Sequence, residues 1–111
     1  MQAELDRTPQ ALVVRLIGEL DHFSVQGMGP KIDRQLSRIK PPNLVLNLKG
    51  LTFLDSSGVG LILGRYRQVR AKGGTVAACH LGPQVRKVFD IAGLSDLLLL
   101  CRSESEALSR L

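Results

Sequence analysis

The run ALVVRLIGEL, residues 11–20, sets aliphatic and β-branched side chains next to one another and reaches Gly18, which predicts a strand. The weaker segment AELD before it, set off by the turn signal TPQ, suits a hairpin partner at the sheet edge. From about Phe23 to Ile39 the period changes. Val25, Met28, Ile32, Leu36 and Ile39 recur at intervals of three and four, the pattern of an amphipathic helix. Asp21 or Ser24 can cap it, Gly27, Gly29 and Pro30 weaken its first turn, and Pro41-Pro42 stop it. NLVLNL then reads as a short buried strand. The stretch FLDSSGVGLILGRY, residues 53–66, opens a second helix that ends near Gly73-Gly74, with Lys72 just before the stop. TVAACH is a further strand. Pro83 sits at a first helical position, and Val85, Val88, Phe89 and Ala92 mark the buried face of a third helix closed by Gly93. LLLLC is a last strand, and Ser103 with Glu106 three residues on is a capping box opening a short terminal helix.

Strands and helices that alternate after an initial hairpin predict a mostly parallel sheet with right-handed crossovers, an α/β fold. A chain of 111 residues fits one such domain, 1–111, with no repeat, linker or low-complexity stretch. Composition refines this in one respect: aromatics are only 4% and Trp is absent, so the core is aliphatic. The net charge of +5 raises the question of an anionic partner. The basic residues are dispersed along the chain, at Arg15, Arg34, Arg38, Arg65, Arg70, Arg86 and Arg102 among others. A solvated basic surface is therefore expected in preference to a nucleic-acid interface, which needs a cluster with stacking aromatics. No apolar run has the length of a signal peptide or a bilayer span, which fits a cytoplasmic protein with no membrane contact. Cys79 and Cys101 each lie in an apolar stretch without CxxC spacing, so both are expected as buried small hydrophobes rather than a disulfide or metal pair.

The chemistry gathers at Asp55-Ser56-Ser57-Gly58, where strand gives way to helix. Asp55 is placed to N-cap the helix by accepting from the Ser57 or Gly58 N–H. Ser56 then occupies the first helical position with its hydroxyl free. At 100° per residue, Val59, Ile62, Leu63, Tyr66 and Val69 face the sheet, and Ser57, Gly60, Leu61, Gly64 and Gln68 fall opposite. That arrangement predicts Leu61 as a lone exposed apolar knob beside the serines, a partner-docking spot. A glycine here could equally serve a close approach of helix to sheet. Four uses of the junction stay open on local grounds: a cap, a nucleophile, a phosphate cradle, or a phosphate acceptor. The pattern misses GxSxG and offers only His22 and His80 as bases, which disfavours a serine hydrolase. Gly58, Gly60 and Gly64 miss GxGxxG by one residue and come after the helix has begun, and no GK[ST] follows, which disfavours a nucleotide site. Gly18-Glu19-Leu20-Asp21 closes a neighbouring strand, and parallel strand ends share an edge, so Asp21 is expected near Ser56, as a helix cap or as a partner for an incoming Arg or Lys. His22 is expected as a solvated loop side chain.

GELD at 18–21, LVLNLKGLTFLDSSGVGLILGRYRQVRAKGG at 44–74 and VRKVFDIAGL at 85–94 together resemble the anti-sigma factor antagonists, STAS-domain proteins of the stage II sporulation protein AA type. The resemblance covers nearly the whole chain in order. It implies a small mostly parallel sheet with an edge hairpin strand and about four helices, and a binding protein rather than an enzyme, with no cofactor or metal of its own. It further implies a partner that is both anti-sigma factor and ATP-dependent serine kinase of the GHKL type. Binding to that partner would release a sigma factor, of which the sporulation sigma F is the expected one. The kinase would phosphorylate Ser56, the first serine of DSSG, and a PP2C-type, manganese-dependent phosphatase would reverse this. Asp21 falls on the implied docking surface, and position adds Asp55, Ser57, Gly58 and Leu61. The free chain is expected as a monomer. The same fold could serve another assembly, such as a stress-response sigma pathway, a stressosome or a lipid-transport complex. Phe23 is bulkier than the resemblance leads one to expect, and could either cover the core or meet a partner.

Overall fold

Strand and helix alternate after a first hairpin, in the order the periodicity predicts. The computed structural model describes residues 1–111. It contains strands β1 (Gln2–Arg7), β2 (Leu12–Leu20), β3 (Leu44–Leu54), β4 (Val76–Cys79) and β5 (Leu99–Cys101). Its helices are α1 (His22–Leu36), α2 (Ser56–Ala71), α3 (Pro83–Ala92), α4 (Leu94–Leu97) and α5 (Glu104–Ser109). The strands lie side by side in sequence order, β1 antiparallel to β2 and the rest parallel. Each parallel crossover steps one strand in the same direction, and crossovers of one hand stepping one way put their helices on one face.

The burial pattern shows that layer. Leu12, Val14 and Leu16 of β2 and Leu44, Leu46 and Leu48 of β3 join Ile32, Leu36, Ile62, Val69 and Phe89 of the helices in one aliphatic core. The intervening Val13, Val45 and Ala77 face the other way and pack on Ala107 of α5. Alternation with period two thus serves two cores, a large one under α1–α3 and a small one under α5.

α5 is also held by charge. Arg15 forms a two-pronged pair with Glu104, Nε to Oε2 at 2.7 Å and Nη2 to Oε1 at 2.8 Å, and the Asn47 amide donates to Glu104 Oε2 at 2.6 Å. Ser103 caps α5 by accepting from the Glu106 N–H at 3.1 Å, and Glu106 accepts from the Arg102 N–H at 2.7 Å. Cys79 and Cys101 are free thiols opposite each other on β4 and β5; Cys79 is fully buried, and burial pushes its pKa up to about 11. It behaves as a core hydrophobe, as the sequence predicts; Cys101 is half-buried.

Four boundaries differ from those expected. β3 runs six residues past NLVLNL to Leu54, and β2 continues past Gly18 to Leu20. Two irregularities in the β2–β3 register, between Arg15 and Ile17 and between Gly18 and Glu19, break the polar–apolar alternation there. α1 ends at Leu36, where Ser37 forms its C-cap, although Ile39 still packs against the core. The run LLLLC splits into the end of α4 and the three-residue β5, because Gly93 in the left-handed region (φ 79°) turns the chain into one further helical turn.

Candidate functional site

β2 and β3 finish together. Leu20 pairs with Leu54, and the Asp55 N–H donates to the Leu20 carbonyl at 3.4 Å. The residue after each of these leucines is an aspartate that N-caps a helix, so α1 and α2 start side by side at one sheet edge with their unpaired N–H groups there. Asp21 Oδ1 accepts from the N–H of Phe23 at 3.1 Å and of Ser24 at 3.0 Å, and Ser24 Oγ accepts in return from the Asp21 N–H at 2.9 Å, a closed capping box. These bonds, that from the Ser24 N–H foremost, hold the Asp21 carboxyl below the usual aspartate range. Asp55 Oδ1 accepts from the Gly58 N–H at 3.0 Å. In both carboxylates the cap uses Oδ1, so capping and a contact through Oδ2 are compatible roles for one side chain.

Ser56 is exposed as the first residue of α2 and takes no part in the cap. Ser57 is half-buried and lines a shallow groove of about 370 Å³ between α1 and α2, with His22, Gln26, Gly60, Leu61 and Arg65. His22 is exposed as the first residue of α1 rather than in a loop.

Gly58 and Leu61 are not surface residues. Leu61 is only 6% exposed, which corrects its placement as an exposed knob. α1 packs beside α2, and Leu61 fills the seam against Gly29, where an added Cβ would stand 3.3 Å from Leu61 Cδ1. A helix wheel drawn against the sheet alone does not include that second neighbour. Gly58 is the glycine that permits close approach: a Cβ there would stand 2.4 Å from Leu54 Cδ1 and 2.7 Å from the Leu20 carbonyl oxygen. Both residues shape the edge from beneath. The α1–α2 seam is locked by a further pair outside the sequence reading, Arg65 to Asp33, with Nη2–Oδ2 at 2.7 Å and Nε–Oδ1 at 3.0 Å. The Gly29-Pro30 dipeptide inside an otherwise helical pattern was the available signal that α1 is approached closely there.

Phe23, next to the Asp21 cap, is 81% exposed, so it does not cover the core. Phe53, at the end of β3, is 47% exposed and borders a cavity of about 230 Å³ with Leu54, Val85 and Val88.

A family model for the STAS domain matches residues 2–107. The chain belongs to the STAS-domain family. The domain is 39% identical over 111 residues to an anti-sigma F factor antagonist of Paenibacillus polymyxa, covering 100% of this chain and 95% of the relative. It superposes on the anti-sigma factor antagonist SpoIIAA in its unphosphorylated form with a TM-score of 0.85 and 37% identity, over 98% of this chain and 95% of that one. The phosphorylated form of SpoIIAA, the Bacillus cell fate determinant, matches with a TM-score of 0.77 and 36% identity, over 98% of each chain. The fold expected from the sequence is thus the one observed, with five helices in place of about four because α4 is an extra turn.

Proposed function

We propose that this STAS domain is an anti-sigma factor antagonist switched off by phosphorylation of Ser56. The observation that carries the reading is the division of labour at DSSG. Asp55 caps α2 and Gly58 seats it, while Ser56 stays exposed with no structural task. Similarity over the whole chain to an anti-sigma F factor antagonist, and to a protein known in a phosphorylated form, supports it. The partner is a cytoplasmic anti-sigma factor that is also an ATP-dependent serine kinase of the GHKL type, and the sigma factor released is the sporulation sigma F. The edge it meets comprises Asp21, Asp55 and Ser57, with Gly58 and Leu61 setting its shape.

The chemistry is a phosphoryl transfer. The Ser56 Oγ–P bond forms as the bond from the γ-phosphorus to the β,γ-bridging oxygen of ATP breaks, ADP leaves, and the hydroxyl proton passes to a base on the kinase. In-line transfer requires Ser56 to face the nucleotide, so a phosphorylated Ser56 opposes phosphates of like charge. The helix N-terminus tolerates the added anion while the complex does not. A PP2C-type phosphatase returns the serine.

Incubation with the cognate kinase and ATP should add one phosphate to the wild type and none to Ser56→Ala, as read by intact mass. Ser56→Asp should bind the ADP-loaded kinase at least tenfold more weakly in calorimetry. Equal labelling of the alanine variant rules out the site.

A further inference from the structure

The chain has three phenylalanines, and their placement is uneven. Phe89 is fully buried in the core, whereas Phe23 and Phe53 are exposed, both within three residues of the paired Leu20 and Leu54 that end β2 and β3. Phe23 has no role in starting its helix. In a hydrophobic staple the residue before the cap meets the fourth helical residue, here Leu20 and Val25, and Phe23 is the second helical residue. Its backbone N–H is fixed by the Asp21 cap, and its ring makes a T-shaped contact with His22, centroids 5.6 Å apart. An aromatic ring on a rigid backbone, with two side-chain torsions to freeze, loses little entropy on docking.

The side chains beside it are acidic. Glu19, Asp21 and Asp55 stand at the ends of β2 and β3 in a chain of net charge +5, and Arg65, in the adjoining groove, is paired with Asp33. An acidic edge is repelled by anionic lipid headgroups, so the exposed ring suits a protein surface rather than a membrane. Its complement is an apolar recess with a cationic rim.

We propose that Phe23 is the apolar anchor of the docking edge, seated in an apolar recess of the anti-sigma factor whose Lys or Arg rim faces Glu19 and Asp21. The inference rests on the reading of the Ser56 edge as the docking site. It makes Phe23 a specificity residue of this chain, because a partner lacking the recess would clash with the ring.

The test compares wild type, Phe23→Ala and Glu19→Gln for binding to the purified cognate anti-sigma factor with ADP, by stopped flow and calorimetry. Phe23→Ala should weaken binding at least tenfold, chiefly through faster dissociation, with a melting temperature little changed because the ring lies outside the core. Glu19→Gln, which removes an exposed charge and no cap, should slow association and flatten its dependence on salt. Unchanged affinity in Phe23→Ala overturns the anchor while leaving the docking site standing, and an unchanged salt dependence in Glu19→Gln overturns the cationic rim. Failure of folded wild type to bind any anti-sigma factor overturns the functional reading and the anchor with it.

Discussion

Two glycines two residues apart in α2 have opposite roles. A methyl at Gly58 would overlap Leu54 Cδ1 and the Leu20 carbonyl, one of them backbone that cannot move without shifting β2, whereas a methyl at Gly60 meets nothing within 4 Å. Gly58→Ala should therefore cost about 1–3 kcal/mol, the usual range for overpacking a tight contact, despite alanine's better helix propensity. Gly60→Ala should gain about 0.5–1 kcal/mol, since its conformation suits alanine and the unfolded chain loses freedom. Urea unfolding of both variants checks the pair. A loss at Gly60 as large as that at Gly58 would mean that α2 does not lie on the strand ends as described. The same close packing explains why Gly58, expected at the docking surface, lies under it.

At the scale of elements, what was legible in the sequence is what acts within four residues. The caps at Asp55 and Ser103 and the stop at Gly93 were readable because donor, acceptor and turn lie within one helical turn, whereas α1 ends at Leu36, ahead of the expected stop at Pro41-Pro42. The burial of Leu61 was not, because it depends on α1, and neither was the far half of β3, where register shifts erase the period. The tether of α5 also spans elements: Arg15 lies 89 residues from Glu104. Arg15 foremost, then Asn47, holds the Glu104 carboxyl below its ordinary value of 4.5. A depressed carboxylate stabilises the fold above its unfolded pKa, and this contribution is lost as the pH falls through the folded one. Glu104→Gln should thus lower stability by about 1.5 kcal/mol at pH 7, the scale of a hydrogen bond to a charged group. The two proteins should converge as the pH drops below 4.5 and wild-type Glu104 protonates. Urea midpoints recorded between pH 7 and pH values well below 4.5 test this; a constant gap throughout would show that Glu104 acts by packing.

For the molecule as a whole, charge dispersed along the sequence is gathered in space. α1 and α2 run the same way, so their ends bring Arg34, Arg38, Lys40, Arg67, Arg70 and Lys72 to the pole opposite the Ser56 edge, where Lys40 and Lys72 border one cavity. Cations at helix C-termini complement the macrodipole, which accounts for Arg34 and Arg70 in the last turns. The fifteen residues of α1 span about 22 Å, so the pole stands roughly that far from Phe23. Screening then decides whether it matters for docking. The Debye length is about 8 Å at 0.15 M salt and about 30 Å at 0.01 M. Arg38 and Lys40 are exposed, lie beyond the C-cap of α1 and make no ion pair, so their reversal leaves the fold intact. Each reversal removes two charges, and Arg38→Glu with Lys40→Glu takes the chain from +5 to +1. Association with a partner whose receiving face is cationic should be unchanged at 0.15 M salt and several-fold faster at 0.01 M, where the pole's repulsion reaches the interface. An association rate insensitive to the reversal at low salt would place the partner's positive charge elsewhere. A slower rate would show the basic pole itself to be the docking surface.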